Sequence, residues 1–133
     1  MTVPATHSDV LVFFLSQTKF EHFINPKIYQ NDLPTYNNTE RISVVSSFLA
    51  SIFLGDYAPI DASDASGMNL FNIHSKTWDE RLLIACGGEA LREKLGNVEV
   101  FGLNVMGNVC RYFVERYGFN PGIYVNVRVD VLI

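Results

Sequence analysis

The stretch Tyr57–Trp78, YAPIDASDASGMNLFNIHSKTW, joins an acidic, hydroxyl-rich turn to an apolar strand and the start of a helix. Asp61 and Asp64 stand among Ser63, Ser66 and Gly67. Short polar side chains in such a run bond their own backbone and hold a loop in shape. The run reads as an Asx or Ser turn opening a strand over Met68–Ile73, with Met68, Leu70 and Asn72 on one face and Asn69, Phe71 and Ile73 on the other. Asp61, Asp64, Ser66 and Gly67 then have structural work to do. Two carboxylates in a loop can also form a site when their surroundings perturb them, and the residues alone leave that second reading open.

Working outward, Thr39 is placed to cap a helix whose apolar residues Ile42, Val45, Phe48, Leu49, Ile52 and Phe53 recur at helical spacing, with Gly55 as its stop. Ser43, Ser46, Ser47 and Ser51 spread around that helix, which suits close packing better than a solvent face. Before it, Lys19–Asn31 is loosely helical with Pro26 as a break, and Asn31–Asn38 reads as a polar loop. After the central stretch, Thr77 caps a helix from Trp78 to Ala85 that Gly87 and Gly88 end, and a short helix resumes over Glu89–Leu95. Val98–Leu103 reads as a strand, Asn108–Tyr117 as a helix closed by Gly118, and Asn120-Pro121-Gly122 as a turn. In the tail, IYVNVRVDVLI, the residues Ile123, Val125, Val127, Val129, Val131 and Ile133 fall on one face, as in a half-buried strand. The mixture is α+β.

At 133 residues, 48% hydrophobic and 18% charged, the chain has the length and composition of one globular domain with one core. A net charge of -4 with no basic run argues against nucleic acid as a partner. The apolar run Val10–Leu15 is too short to span a bilayer and lacks a basic segment before it, so it reads as a buried strand or helical turn and no membrane partner is expected. Cys86 and Cys110 lack the spacing of a zinc site or redox pair and read as buried thiols of a reducing compartment. His7 and His74 have no metal-ligand spacing with any acid or thiol, so no metal is assigned. Arg41 could face a cleft and bind an anion, although at the start of a capped helix it reads as a surface residue. Asn37-Asn38-Thr39 reads as a turn and helix cap.

The D-x-S-D-x-S-G-M-N-L run from Asp61 resembles the FGGY carbohydrate kinases, most closely the xylulose kinases among them. Lys27–Asp61, with its ERIS-V-SSF-ASIFLG pattern, is similar to the segment that precedes the run in that family. Trp78, Leu95-Gly96 and Arg111–Gly122 follow at similar spacing. The resemblance spans Phe20–Gly122 and divides the chain into a divergent segment 1–19, part of a sugar-binding domain at 20–122 and a divergent β tail at 123–133. It implies a fragment of a ribonuclease-H-like, actin-like domain. The implied activity is ATP-dependent phosphorylation of D-xylulose or a related ketose to the 5-phosphate, with ATP and Mg²⁺ serving the full-length family in the cytoplasm.

The same resemblance limits what this chain is expected to do alone. Phosphoryl transfer needs cradled phosphates, a held metal and a carboxylate near the attacking hydroxyl. The family's amino-terminal Asp-Gly-Thr turn has no counterpart in Met1–Thr18, and no other glycine-rich phosphate loop is present. The family's catalytic aspartate lies in a Gly-Asp-Asn turn. Here Asp130 is the nearest acid, without the flanking glycine and asparagine and within an alternating strand, so no catalytic residue is assigned. His22 stands at the place of a family arginine that holds the sugar, and an imidazole can bond a hydroxyl without matching a guanidinium's permanent fork. The expectation is an incomplete, inactive piece that binds no ATP or Mg²⁺ by itself and self-associates through 123–133; the alternative is a noncatalytic interaction or regulatory fragment of a sugar kinase.

Overall fold

A computed structural model of the chain describes residues 9–13, 24–100 and 105–126, with side chains over 27–100 and 105–126. The apolar run near the amino terminus forms strand β1, Asp9–Phe13, which lies parallel to β2, Thr39–Val44, with Val10 opposite Arg41 and Phe13 opposite Val44. Parallel neighbours need a crossover. Two short helices lie along it, α1 Ile24–Asn31 and α2 Leu33–Asn38.

These elements correct two expectations. Asn31–Asn38 is helical rather than a polar loop, because the Asp32 side chain caps α2 by accepting from the Thr35 amide at 3.2 Å and Pro34 sits in the first turn, where its missing N–H costs nothing. Thr39 does not open a helix. Its Oγ1 donates to the Thr35 carbonyl at 2.8 Å, closing α2, and the β-branched Thr39, Ile42 and Val44 continue as a strand. The helix of the SSFLAS segment, α3, runs Val45–Leu54 and does end at Gly55, in the left-handed region at φ 73°. Its serines pack inward as expected: Ser47 Oγ bonds the Val44 carbonyl, Ser51 Oγ bonds that of Ser47, and Ser51 in turn accepts from the Ala58 amide.

Strand β3, Ile60–Asp61, pairs in parallel with β6, Val98–Glu99. Between them lie α4 Ala62–Gly67, an antiparallel pair of β4 Phe71–Asn72 and β5 Thr77–Trp78, then α5 Glu80–Gly87 and α6 Leu91–Leu95. The strand expected over Met68–Ile73 is confined to Phe71–Asn72, because Asp61 caps a helix and Met68 terminates it. Asp79 rather than Thr77 caps α5, its carboxylate accepting from the amides of Arg81 and Leu82, and Gly88 closes it at φ 70°.

The last part is β7 Gly107–Asn108, α7 Arg111–Tyr117 and β8 Tyr124–Val125, with β7 and β8 antiparallel. Helix α7 starts later than Asn108, which β7 takes, and stops at Gly118 as expected. The Asn120-Pro121-Gly122 turn is present, its Asn120 Oδ1 accepting from the Gly122 amide at 2.8 Å. Val125 is buried while Ile123 is 45% exposed, so these two do not share a covered face; 127–133, like 101–104, lie outside the described residues.

The core divides into two clusters. One gathers Tyr36, Ile42, Val44, Ile60, Leu70, Trp78, Leu83, Leu91 and Leu95 around β2, β3 and α5. The other joins Ala50, Ala58, Val109 and Val125 to the ring cluster of Phe53, Phe113 and Phe119. Among the described residues no helix is long and apolar enough to cross a membrane.

Candidate functional site

The acidic turn that opened the sequence argument is a structural knot. Asp61 Oδ1 accepts from the Ser63 amide at 2.8 Å, the Asx turn expected of it, and so starts α4. Asp64 behaves differently. Its Oδ2 accepts from Ser46 Oγ at 2.5 Å, so its bond ties α4 to α3 rather than shaping its own loop. Ser66 Oγ donates back to the Ala62 carbonyl, and Gly67 has open space where a side chain would be. Asp61 and Asp64 are 5% and 6% exposed, each committed to a partner within the fold. Burial pushes the Asp64 carboxyl above the usual carboxylate range; the Ser46 hydroxyl opposes that shift and neighbouring Asp61 adds to it.

A more open arrangement lies on the other side of β2. A cleft of about 560 Å³ is lined by residues that include Arg41, Tyr57, Lys76, Trp78, Arg92 and Glu99. Arg41, expected at the surface, is 9% exposed. It stands on β2, and its Nη2 donates to the Ala58 carbonyl at 2.9 Å while the Tyr57 ring covers the guanidinium at 5.2 Å. Gly96, at φ 71°, leaves room for it: a Cβ there would fall on the guanidinium. The Trp78 indole N–H donates to the Gly96 carbonyl at 2.7 Å and fixes that turn against the core. Arg92 pairs with Glu80 across α5 and α6. Sequence reasoning missed this assembly because a helical reading of TERIS put Arg41 on a solvent face; read as a strand, the same residues place it beside Thr39 and Ser43.

The remaining sequence candidates are not brought together. His22 and Asp130 lie outside the described residues. Cys86 and Cys110 are free thiols, both half-buried rather than fully covered, and burial pushes Cys86 upward. No group of His, Cys, Asp and Glu among the described residues could hold a metal ion. Asp61 and Asp64 are committed to Ser63 and Ser46, and no chemical step is derived through a Mg²⁺–ATP complex.

Comparison with known proteins places this fold. Residues 26–129 match the FGGY family of carbohydrate kinases, N-terminal domain. The chain belongs to that family. Its FGGY domain is of the ribonuclease-H-like, actin-like class, consistent with the mixed helices and parallel strand pairs described above. Among its relatives, the xylulose kinase of Rattus norvegicus is 52% identical over 99 residues, covering 74% of this chain and 18% of the rat protein. The D-xylulose kinase A of Aspergillus niger is 47% identical over 116 residues, covering 81% of this chain and 20% of the fungal protein. The chain thus spans about a fifth of the length of the curated relatives it matches.

Proposed function

We propose that this FGGY segment serves as part of the sugar-binding domain of a xylulose kinase, which transfers a phosphoryl group from ATP to D-xylulose. The supporting observation is identity near one half to proteins named xylulose kinase, sustained over three quarters of the chain. Within such an enzyme the described residues act as scaffold. The acidic turn locks α3 to α4, and the polar bonds of Tyr36, Ser51 and Trp78 tie α2 to α5, α3 to the Ala58 loop and β5 to the Gly96 turn. Residues 20–122 are proposed as the part in register with the kinase domain, with 1–19 and 123–133 as divergent flanks. Sugar contact at His22 is proposed from its place in the sequence, and a cytoplasmic setting from the uncombined cysteines.

Alone, the 133-residue chain is proposed to be noncatalytic, since phosphoryl transfer is almost wholly positioning and electrostatics and the sequence carries neither the family's Asp-Gly-Thr turn nor its Gly-Asp-Asn turn. The test has two arms. Purified chain mixed with ATP, Mg²⁺ and D-xylulose should release no ADP above background; sugar-dependent ADP release that survives repeated purification would refute the noncatalytic part. Exchange of the matched segment into a relative tests the family role.

A further inference from the structure

Charges inside proteins are paired, because an uncompensated buried ion loses its hydration without return. Arg41 departs from that rule. It is 9% exposed, its Nε is buried without a hydrogen-bond partner, and its guanidinium meets a carbonyl and a ring but no carboxylate among the described residues. The same residue forms a wall of the 560 Å³ cleft that Lys76, Arg92 and Asn97 also line. Three carboxylates temper the cleft: Glu99 lines it, Glu80 holds Arg92, and Glu40 accepts from the hydroxyl of Tyr57, another lining residue. The unmet charge is therefore that of Arg41.

We infer that this cleft binds a phosphate-bearing small anion, with Arg41 as the principal partner and Arg92 and Lys76 as flanking cations. A guanidinium offers a planar fork of N–H donors that suits two phosphate oxygens at once. The cleft is larger than inorganic phosphate and leaves space for a small hydroxylated body beside Asn97, Thr77 and Tyr57, so the class of ligand is a phosphate monoester of a polyol. The inference stands on the buried cation and the cleft, independently of the kinase assignment. The chemistry also admits a carboxylate from a neighbouring protein segment as the partner of Arg41, and the experiment separates the two.

Inorganic phosphate and glycerol 3-phosphate are titrated into the 133-residue chain at constant ionic strength, with chloride as control, while thermal midpoint and arginine Nε–H NMR shifts are recorded. Both phosphates should raise the midpoint and move the Arg41 Nε–H signal, glycerol 3-phosphate at the lower concentration. Arg41→Lys should weaken binding about ten-fold through loss of the fork. Arg92→Gln, at a half-exposed side chain, keeps the test decisive if the Arg41 variant does not fold, and should weaken binding about three-fold by removing one flanking charge. No response beyond chloride, as a protein carboxylate on Arg41 would give, overturns the inference. Unchanged affinity in Arg92→Gln together with unmoved arginine signals does the same.

Discussion

Ser46 Oγ donates to Asp64 Oδ2 at 2.5 Å, and this bond joins α3 to α4 across eighteen positions of sequence. The carboxyl it meets is 6% exposed and held above its usual range, chiefly by burial. A carboxyl whose folded pKa is raised contributes stability that is complete below the unfolded value, near 3.8, and is lost as pH rises through the folded value. Asp64→Asn keeps an acceptor for Ser46 and removes the titration. Its unfolding midpoint should match or exceed that of the parent at neutral pH and lose this pH dependence, which in the parent begins above the unfolded value of 3.8. Denaturant melts from that pH upward check it; a parental pH slope in the variant would mean Asp64 is not the group responsible.

Ser46→Ala leaves Asp64 buried without its donor, so the desolvation of the carboxylate goes unanswered. The expected loss is about 1–3 kcal/mol. Comparison with Asp64→Ala in a double-mutant cycle isolates the pair, and additive effects would show that the bond contributes nothing.

Gly96 and Gly118 share a positive φ, 71° and 70°, but not ψ, -156° and 27°, and they differ in surroundings: a Cβ on Gly96 would strike the Arg41 guanidinium, whereas one on Gly118 meets nothing within 4 Å. Gly118→Ala should cost about 1–2 kcal/mol, the left-handed penalty alone. Gly96→Ala should cost more, because its backbone lies in a region open essentially to glycine alone and because Arg41 must also leave the Ala58 carbonyl and Tyr57 ring to make room. Equal midpoints for the two variants would contradict both the backbone at Gly96 and its contact with Arg41.

The Tyr36 hydroxyl is buried and donates to the Gly87 carbonyl at 2.5 Å, and burial together with Tyr29 pushes its pKa up to about 12. Because the folded value is raised, this group favours folding below pH 10 and the contribution disappears as pH rises toward 12. Tyr36→Phe should lose about 1–2 kcal/mol at neutral pH and show a shallower alkaline fall in stability. Paired alkaline melts of parent and variant decide it.

The alternating tail predicts self-association. Only Arg128 and Asp130 interrupt the apolar pattern of Val127, Val129, Val131 and Ile133, and unbroken apolar strands template pairing with other chains. Since Val125 is already part of the second core cluster, deletion of the whole tail would also damage the fold. Val129→Lys with Val131→Lys is the cleaner change, and light scattering should then show a larger monomer fraction. A parent that is monomeric at tens of micromolar, where exposed edges commonly drive association, would remove the basis for this expectation.

Punctuation was legible in the sequence and pairing was not. Gly55, Gly88 and Gly118 end helices where a chain needs a left-handed residue, and Asp61 makes the local turn its neighbours suggest. TERISV was misread because Ile42 and Val45 also fit a helical spacing; pairing with β1, a contact between distant residues, decided for a strand. The Ser46–Asp64 and Arg41–Gly96 relations stayed hidden for the same reason, since each joins residues whose local signals point only to a packed helix or an exposed charge. The family motif was readable because it rests on a long run of residue identities, which needs no knowledge of which strand meets which.

The central claim is that this chain is built as the matching part of a xylulose kinase, and segment exchange tests it most directly. Residues 26–129 would replace their aligned counterpart in the xylulose kinase of Rattus norvegicus, with ATP-dependent D-xylulose phosphorylation measured on the purified chimera. The account predicts a soluble, folded enzyme that retains D-xylulose as substrate, its kcat/KM lowered only by what the substituted packing residues remove, since His22 lies outside the exchanged segment. A chimera that folds with the parent's thermal midpoint yet shows no binding of D-xylulose would contradict the account.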